Sequence, residues 1–261
     1  MFNAVMPKDG GVRVAARDVS FGPDKRQQLD IYAPMAPASA PRPLVVFLYG
    51  GSWNSGVKNG YGFVGRALAA RGFVVAIPDY RLVPQVRFPA FLEDNAAAVR
   101  WLRAHAAQYG ADPDRIVLAG HSAGAYNAAM LALDPQWLQS DRAAIRGFVG
   151  LAGPYDFLPL DGPVVQATFG AAPDPAATQP VHFVTRAAPP ALLATGDDDK
   201  VVAPRNSDAL ADRLLAAGVP VERVRYPRIG HAGLVTAIAR PLRGKARVLD
   251  AIAAFAASVT R

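Results

Sequence analysis

The sequence predicts an α/β fold with a mostly parallel central sheet, an antiparallel start, and helices on both faces. Three observations carry this expectation. Short β-branched runs that are apolar at every position recur along the 261 residues, as strands buried on both faces require. Segments with apolar residues three and four apart alternate with them, as crossover helices do. The composition, 51% hydrophobic and 19% charged, is that of a chain that buries a large core.

In chain order, Asp18 to Tyr32 reads as a hairpin turning at Gly22-Pro23-Asp24, which supplies the antiparallel start. Leu44 to Leu48 and Phe73 to Ile77 are the next strands. Leu92, Val99, Leu102, Ala106 and Tyr109 fall on one helix face, and Gly110 is the expected C-terminal cap. Ile116 to Ala119, Gly147 to Leu151 and Ala191 to Thr195 continue the sheet, followed by a β segment from Val221 to Tyr226. Val248, Ile252, Phe255 and Val259 mark a closing helix. No linker or repeat interrupts the alternation, so residues 1–261 read as one domain. Residues 153–190, rich in Pro, Ala and Gly, read as a small cap or long loop inserted over the sheet.

Composition also excludes chemistry. Without cysteine there is no thiol nucleophile, thiolate metal site or disulfide. The net charge of +7 comes from arginines scattered singly, so no nucleic-acid partner is expected. No apolar run approaches the ~18 residues of a membrane helix. Pro7, Lys8 and Asp9 stand where a signal peptide is apolar. The chain therefore reads as cytoplasmic, or as exported if a leader precedes it. Nothing in it reports the oligomeric state.

The strand Ile116 to Ala119 runs directly into Gly120-His121-Ser122-Ala123-Gly124, and a helical, small-residue segment follows. A G-x-S-x-G between strand and helix presents its serine on a sharp turn, so Ser122 is the expected nucleophile. A serine needs a base, and the base an orienting acid. Of the four histidines, His105 sits among alanines on a helix, His121 should point away from Ser122, and His182 could line a pocket. His231 follows the last β segment, after the nucleophile and any plausible acid, and is taken as the base. Between them, Asp197, Asp198 and Asp199 follow a strand, where ligands meet open α/β sheets. Spacing alone does not choose among the three; Asp199 is taken, with Asp198 as its substitute. An oxyanion needs fixed N–H donors, expected from Ala123 and from Gly51 and Ser52 in the loop Tyr49-Gly50-Gly51-Ser52-Trp53. Trp53 and Tyr155 are candidate pocket residues, Trp53 fitting equally well as a packed anchor for its loop.

Together these segments resemble the α/β-hydrolase superfamily, and within it carboxylesterases of the hormone-sensitive-lipase, arylformamidase and feruloyl-esterase-like type. The resemblance runs from about Gln28 to the C-terminus and includes Pro78-Asp79-Tyr80-Arg81-Leu82, Gly196 to Val202 and Gly230-His231. It implies the α/β-hydrolase fold and an acid three residues after the glycine followed by x-Val-Val, which matches Asp199. It also implies that Asp79-Tyr80-Arg81 is an internal brace. One departure stands out: Tyr49 occupies a position where relatives usually carry His, in the loop that shapes the oxyanion site.

Gly60-Tyr61-Gly62-Phe63-Val64-Gly65 is a formal dinucleotide fingerprint. Eleven residues separate it from the strand ending at Leu48, and no lysine has a tyrosine four residues before it, so no nicotinamide cofactor is expected. The reading that follows is a serine carboxylesterase acting on small-molecule esters of short acyl or aryl type through an acyl-enzyme, without metal or cofactor. An arylformamidase-type amidase and a catalytically silent hydrolase-fold binding protein are the alternatives.

Overall fold

Eight strands form one sheet in the computed structural model, which describes residues 2–261. They are β1 (Val12–Ser20), β2 (Gln28–Pro34), β3 (Arg42–Leu48), β4 (Val74–Pro78), β5 (Ala111–His121), β6 (Ile145–Leu151), β7 (Ala191–Gly196) and β8 (Val221–Tyr226). Their spatial order is β1-β2-β4-β3-β5-β6-β7-β8. The pairs β1/β2 and β2/β4 are antiparallel, and every other neighbouring pair is parallel. The hairpin is longer than the sequence suggested, because β1 already begins at Val12, and two register shifts bend it.

The α-helices are α1 (Phe2–Val5), α2 (Gly62–Ala69), α3 (Ala90–His105), α4 (Ala123–Leu133), α5 (Pro135–Leu138), α6 (Pro163–Phe169), α7 (Arg205–Ala216), α8 (His231–Thr236) and α9 (Val248–Val259). Helix α3 tightens into a 3₁₀ turn over Ala106–Tyr109 and stops at Gly110, whose φ of 81° is the left-handed cap conformation. Helix α2 lies along β2 and β4 and touches α9, whereas α4 lies along β3, β5 and β6 and touches α3. This double cover explains why β4 and β7 are buried at every position. Each Val, Leu or Ile sealed there contributes about 1.5–3 kcal/mol through the water it sheds. No helix of the described residues is long and apolar enough to cross a membrane.

Of the fingerprint glycines, Gly65 has a packing role. Gly65 faces the Tyr32 ring on β2 so closely that any Cβ would run into it, so the glycine lets α2 settle onto the sheet. Between β6 and β7, α6 and two 3₁₀ turns at Pro175–Thr178 and Pro180–Phe183 carry Phe169 into complete burial against the main body. Strands β3, β5, β6 and β7 all end at one edge, at Leu48, His121, Leu151 and Gly196. The loops that leave this edge carry Ser122, Asp199 and the Gly50-Gly51-Ser52 turn.

Candidate active site

Ser122 joins β5 to α4 with φ 55° and ψ −123°, a strained conformation for a residue with a side chain. The neighbouring glycines make that turn possible. A Cβ on Gly120 would strike the Gly124 carbonyl, and one on Gly124 would strike the Leu48 carbonyl of β3. The Ser122 N–H donates to the Leu151 carbonyl at 2.8 Å, which ties the turn to the end of β6.

His231 opens α8 after a loop containing Arg228 at φ 59°. Its Nε2 lies 2.8 Å from Ser122 Oγ, and its Nδ1 lies 2.8 Å from Asp199 Oδ2. The other Asp199 oxygen accepts the N–H groups of Val201 and Val202, each at 2.9 Å. The carboxylate is thus buried with three donors, whereas Asp197 and Asp198 are exposed. With the carboxylate accepting a hydrogen bond from Nδ1–H, Nε2 keeps a lone pair toward the serine hydroxyl, the arrangement that lets a histidine remove the serine proton.

His121 turns away from Ser122, yet it is tied to the same site. Its Nε2–H donates to the His231 carbonyl at 3.1 Å, and the two rings lie 4.8 Å apart. Burial, with the neighbouring His231 adding to it, lowers the His121 pKa to about 3, so the ring is neutral and the donor proton sits on Nε2. His105 stacks on Trp101 at an exposed helix position. His182 does not line the site: it is exposed and bonded through Nδ1 to the Ala176 carbonyl, because its 3₁₀ turn directs it outward.

A groove of about 420 Å³ opens over Ser122. Ser52, Trp53 and Ala123 form one side of it, and Pro154, Phe157, Val164 and Val165 lie on the inserted segment. Val202, Ala203, Arg205 and Asn206 complete the wall that follows the acid. The Ala123 N–H precedes the first helical hydrogen bond of α4, and Ser52, at φ 51°, stands beside it in the groove. Gly51 is not part of the lining. At φ 136° it makes the turn, and its carbonyl accepts the N–H groups of Asn54 and Ser55.

Trp53 proves to be both wall and anchor. It lines the groove, donates Nε1–H to Asn127 Oδ1 at 3.1 Å, and meets Tyr126 and Phe169 edge to face. Tyr155 is a correction. It is completely buried, with its ring over Gly150 and Gly153, where the absent Cβ atoms leave it room. Its neighbours Pro154 and Phe157 reach the groove instead, because the Asn206 amide oxygen accepts the Tyr155 and Asp156 N–H groups and holds the chain in that orientation. The sequence carried no signal for Asn206 or Arg205, nor for the bond from His121 to His231, because these placements depend on contacts across 50 or more residues or on a shared groove.

Tyr49 sits behind the Gly50-Gly51-Ser52-Trp53 loop, wholly buried and stacked on Tyr80 and Tyr61. Its hydroxyl donates to Asp79 Oδ1 at 2.7 Å and accepts from Arg26 Nη2 at 2.8 Å, and the Tyr80 hydroxyl donates to the Tyr49 carbonyl. Burial pushes the Asp79 carboxyl above its usual range, against the hydrogen bonds from Tyr49 and the Lys58 amide. Arg81 is paired in turn with buried Asp94 at 2.7 Å. The Asp79-Tyr80-Arg81 segment is therefore a brace under the loop.

The BD-FAE family model matches residues 29–214, a span that contains Ser122 and Asp199 and stops short of His231. The chain belongs to the BD-FAE family. This BD-FAE member is 32% identical over 241 residues to Esterase LipC of Mycobacterium tuberculosis, with 84% of the chain and 60% of LipC aligned. It is 29% identical over 256 residues to the probable isoprenylcysteine alpha-carbonyl methylesterase ICMEL1 of Arabidopsis thaliana, covering 87% of the chain and 52% of that relative. The chain thus spans between about half and three-fifths of the length of these relatives. Among solved structures, esterase B of Lactobacillus rhamnosis with a tributyrin phosphonate superposes with a TM-score of 0.83 at 22% identity, over 98% of this chain and 89% of that one. The fold of this BD-FAE member is the α/β-hydrolase fold.

Proposed function

We propose that the chain is a serine carboxylesterase that hydrolyses esters of short acyl or aryl type through an acyl-enzyme. The observation that carries this reading is the unbroken hydrogen-bonded path from Asp199 through His231 to Ser122, ending in an apolar groove. Ser122 Oγ attacks the ester carbonyl while His231 Nε2 takes its proton, and the carbonyl oxygen becomes an oxyanion received by the amides of Ala123 and Ser52. His231 then gives the proton to the departing alcohol. Water repeats the sequence to release the acid. Asp199 holds the tautomer throughout and stabilises the imidazolium. Two relatives named as esterases support the class of reaction.

The groove supports small substrates. Its volume is at the lower end of ordinary ligand pockets, and Trp53, Phe157 and Phe169 stand against one another on its inner side. Turnover is therefore expected to be faster on p-nitrophenyl butyrate than on the palmitate. Replacing Ser122 by Ala should lower turnover on the butyrate by about 10⁵ to 10⁶. Near-normal turnover in that variant would remove the proposal, as would failure of the folded protein to be labelled at Ser122 by a fluorophosphonate.

A further inference from the structure

We infer that Arg205 is the recognition group for an anion carried by the substrate, so that the preferred esters bear a carboxylate beside an otherwise apolar body. This inference rests on the proposed esterase reading and names the substrate class of the same groove. Among the described residues, Arg205 is the only charged side chain that lines it. Among the described residues its guanidinium has neither an ion pair nor a hydrogen bond, and Asp208 on the same helix is taken by Arg223 at 2.9 Å and by Arg225. Arg205 is the first residue of α7, the end at which a helix stabilises a cation least.

The rest of the groove fits the other half of such a substrate. Val201 is 70% exposed and Val164 is 38% exposed, and both lie on the groove. Apolar side chains left open beside a catalytic serine mark where the uncharged part of a ligand settles. No carboxylate lines the groove to compete for Arg205. A guanidinium is a planar, permanently charged donor that takes a carboxylate through two hydrogen bonds, and the low-dielectric valine walls strengthen that attraction. Water competes at this exposed position, so the expected gain is modest.

The test uses matched pairs of esters that differ in one charge. In the first pair the anion is in the acyl half, with mono-p-nitrophenyl glutarate against p-nitrophenyl valerate. In the second it is in the alcohol half, with 4-butyryloxybenzoate against its methyl ester. Arg205→Gln should lower the preference for the anionic member in kcat/KM by about fivefold to tenfold. The loss should appear in KM, in whichever pair places the charge at Arg205, and should exceed any change on the neutral esters. Arg205→Glu should reverse the preference, and raising salt from about 0.05 to about 0.5 M should weaken it in the wild type only. Calorimetric binding of the same pairs to the Ser122→Ala protein reads the Arg205 effect whether or not turnover occurs. Equal losses on charged and neutral esters, or an unchanged ratio in both pairs and in binding, would overturn the inference. Absence of turnover with the binding preference intact would instead count against the esterase reading alone.

Discussion

Asp199→Asn separates the acid of the site from the two carboxylates beside it in sequence. The side-chain oxygen of the new asparagine must still accept the Val201 and Val202 amides, because among the described residues those two donors have no other acceptor. Its NH₂ group then faces His231 Nδ1, where Asp199 Oδ2 lies at 2.8 Å in the native chain. Two donors cannot face each other, so the imidazole shifts its proton to Nε2, which lies 2.8 Å from Ser122 Oγ. The base is then occupied by a proton and cannot take the one on the serine. Wrong-tautomer enzymes of this kind lose about 10⁴ in kcat, equivalent to about 5.4 kcal/mol of transition-state stabilisation. Shape is preserved and all three hydrogen bonds still form, the one to His231 with its direction reversed, so the thermal midpoint should move little. Steady-state kinetics on p-nitrophenyl butyrate at neutral pH, with a melting curve for each variant, make the measurement. Asp197→Asn and Asp198→Asn are exposed controls that should stay within about twofold of wild type. A folded Asp199→Asn enzyme within about tenfold of wild type, or an equal loss in Asp198→Asn, would refute the tautomer argument.

Three further predictions concern the supports of the site. Gly124→Ala drives a Cβ into the Leu48 carbonyl and should lower stability by about 3 kcal/mol or more in urea titration, whereas Gly244→Ala, which meets nothing within 4 Å, should stay within about 0.5 kcal/mol. His121→Ala removes the donor to the His231 carbonyl and should lower kcat by about tenfold, with partial recovery in His121→Gln, which can donate from the same direction. Because His121 titrates at about 3 when folded and near 6.5 when unfolded, the unfolded chain alone takes up this proton between those values. Wild-type stability should therefore fall, relative to His121→Gln, by about 1.4 kcal/mol for each pH unit descended through that window, and not at all above it. Parallel stability curves for the two proteins would show that His121 is not held neutral.

The elements that read clearly in the sequence are those whose signal is local. β4 and β7 are apolar at every position, and the Gly120 to Gly124 turn carries its own steric requirement. The limits of β1 and β5 were less legible, since Val12 and Ala111 join the sheet through pairing with Pro34 and Arg42 rather than through their own pattern. Tyr155 illustrates the same limit within the site. Its position in the inserted segment suggested exposure to substrate, but two glycines on and after β6 opened a cavity that the ring fills.

By itself the sequence determined a mostly parallel sheet, a serine on a strand-to-helix turn, a histidine after the last strand and an acid among three adjacent aspartates. Each of these follows from periodicity, from glycine placement or from the order of residues along the chain. Tertiary structure decided which aspartate is buried with three donors and which two face water. It also decided that His121 braces His231 and that Arg205 opens onto the same groove as Ser122. Periodicity specifies which face of an element is apolar, but the environment of a side chain is set by what folds against it. For Asp199 that partner arrives from 32 residues away, and for His121 from 110. Distances of that kind are closed only by burial of the shared core.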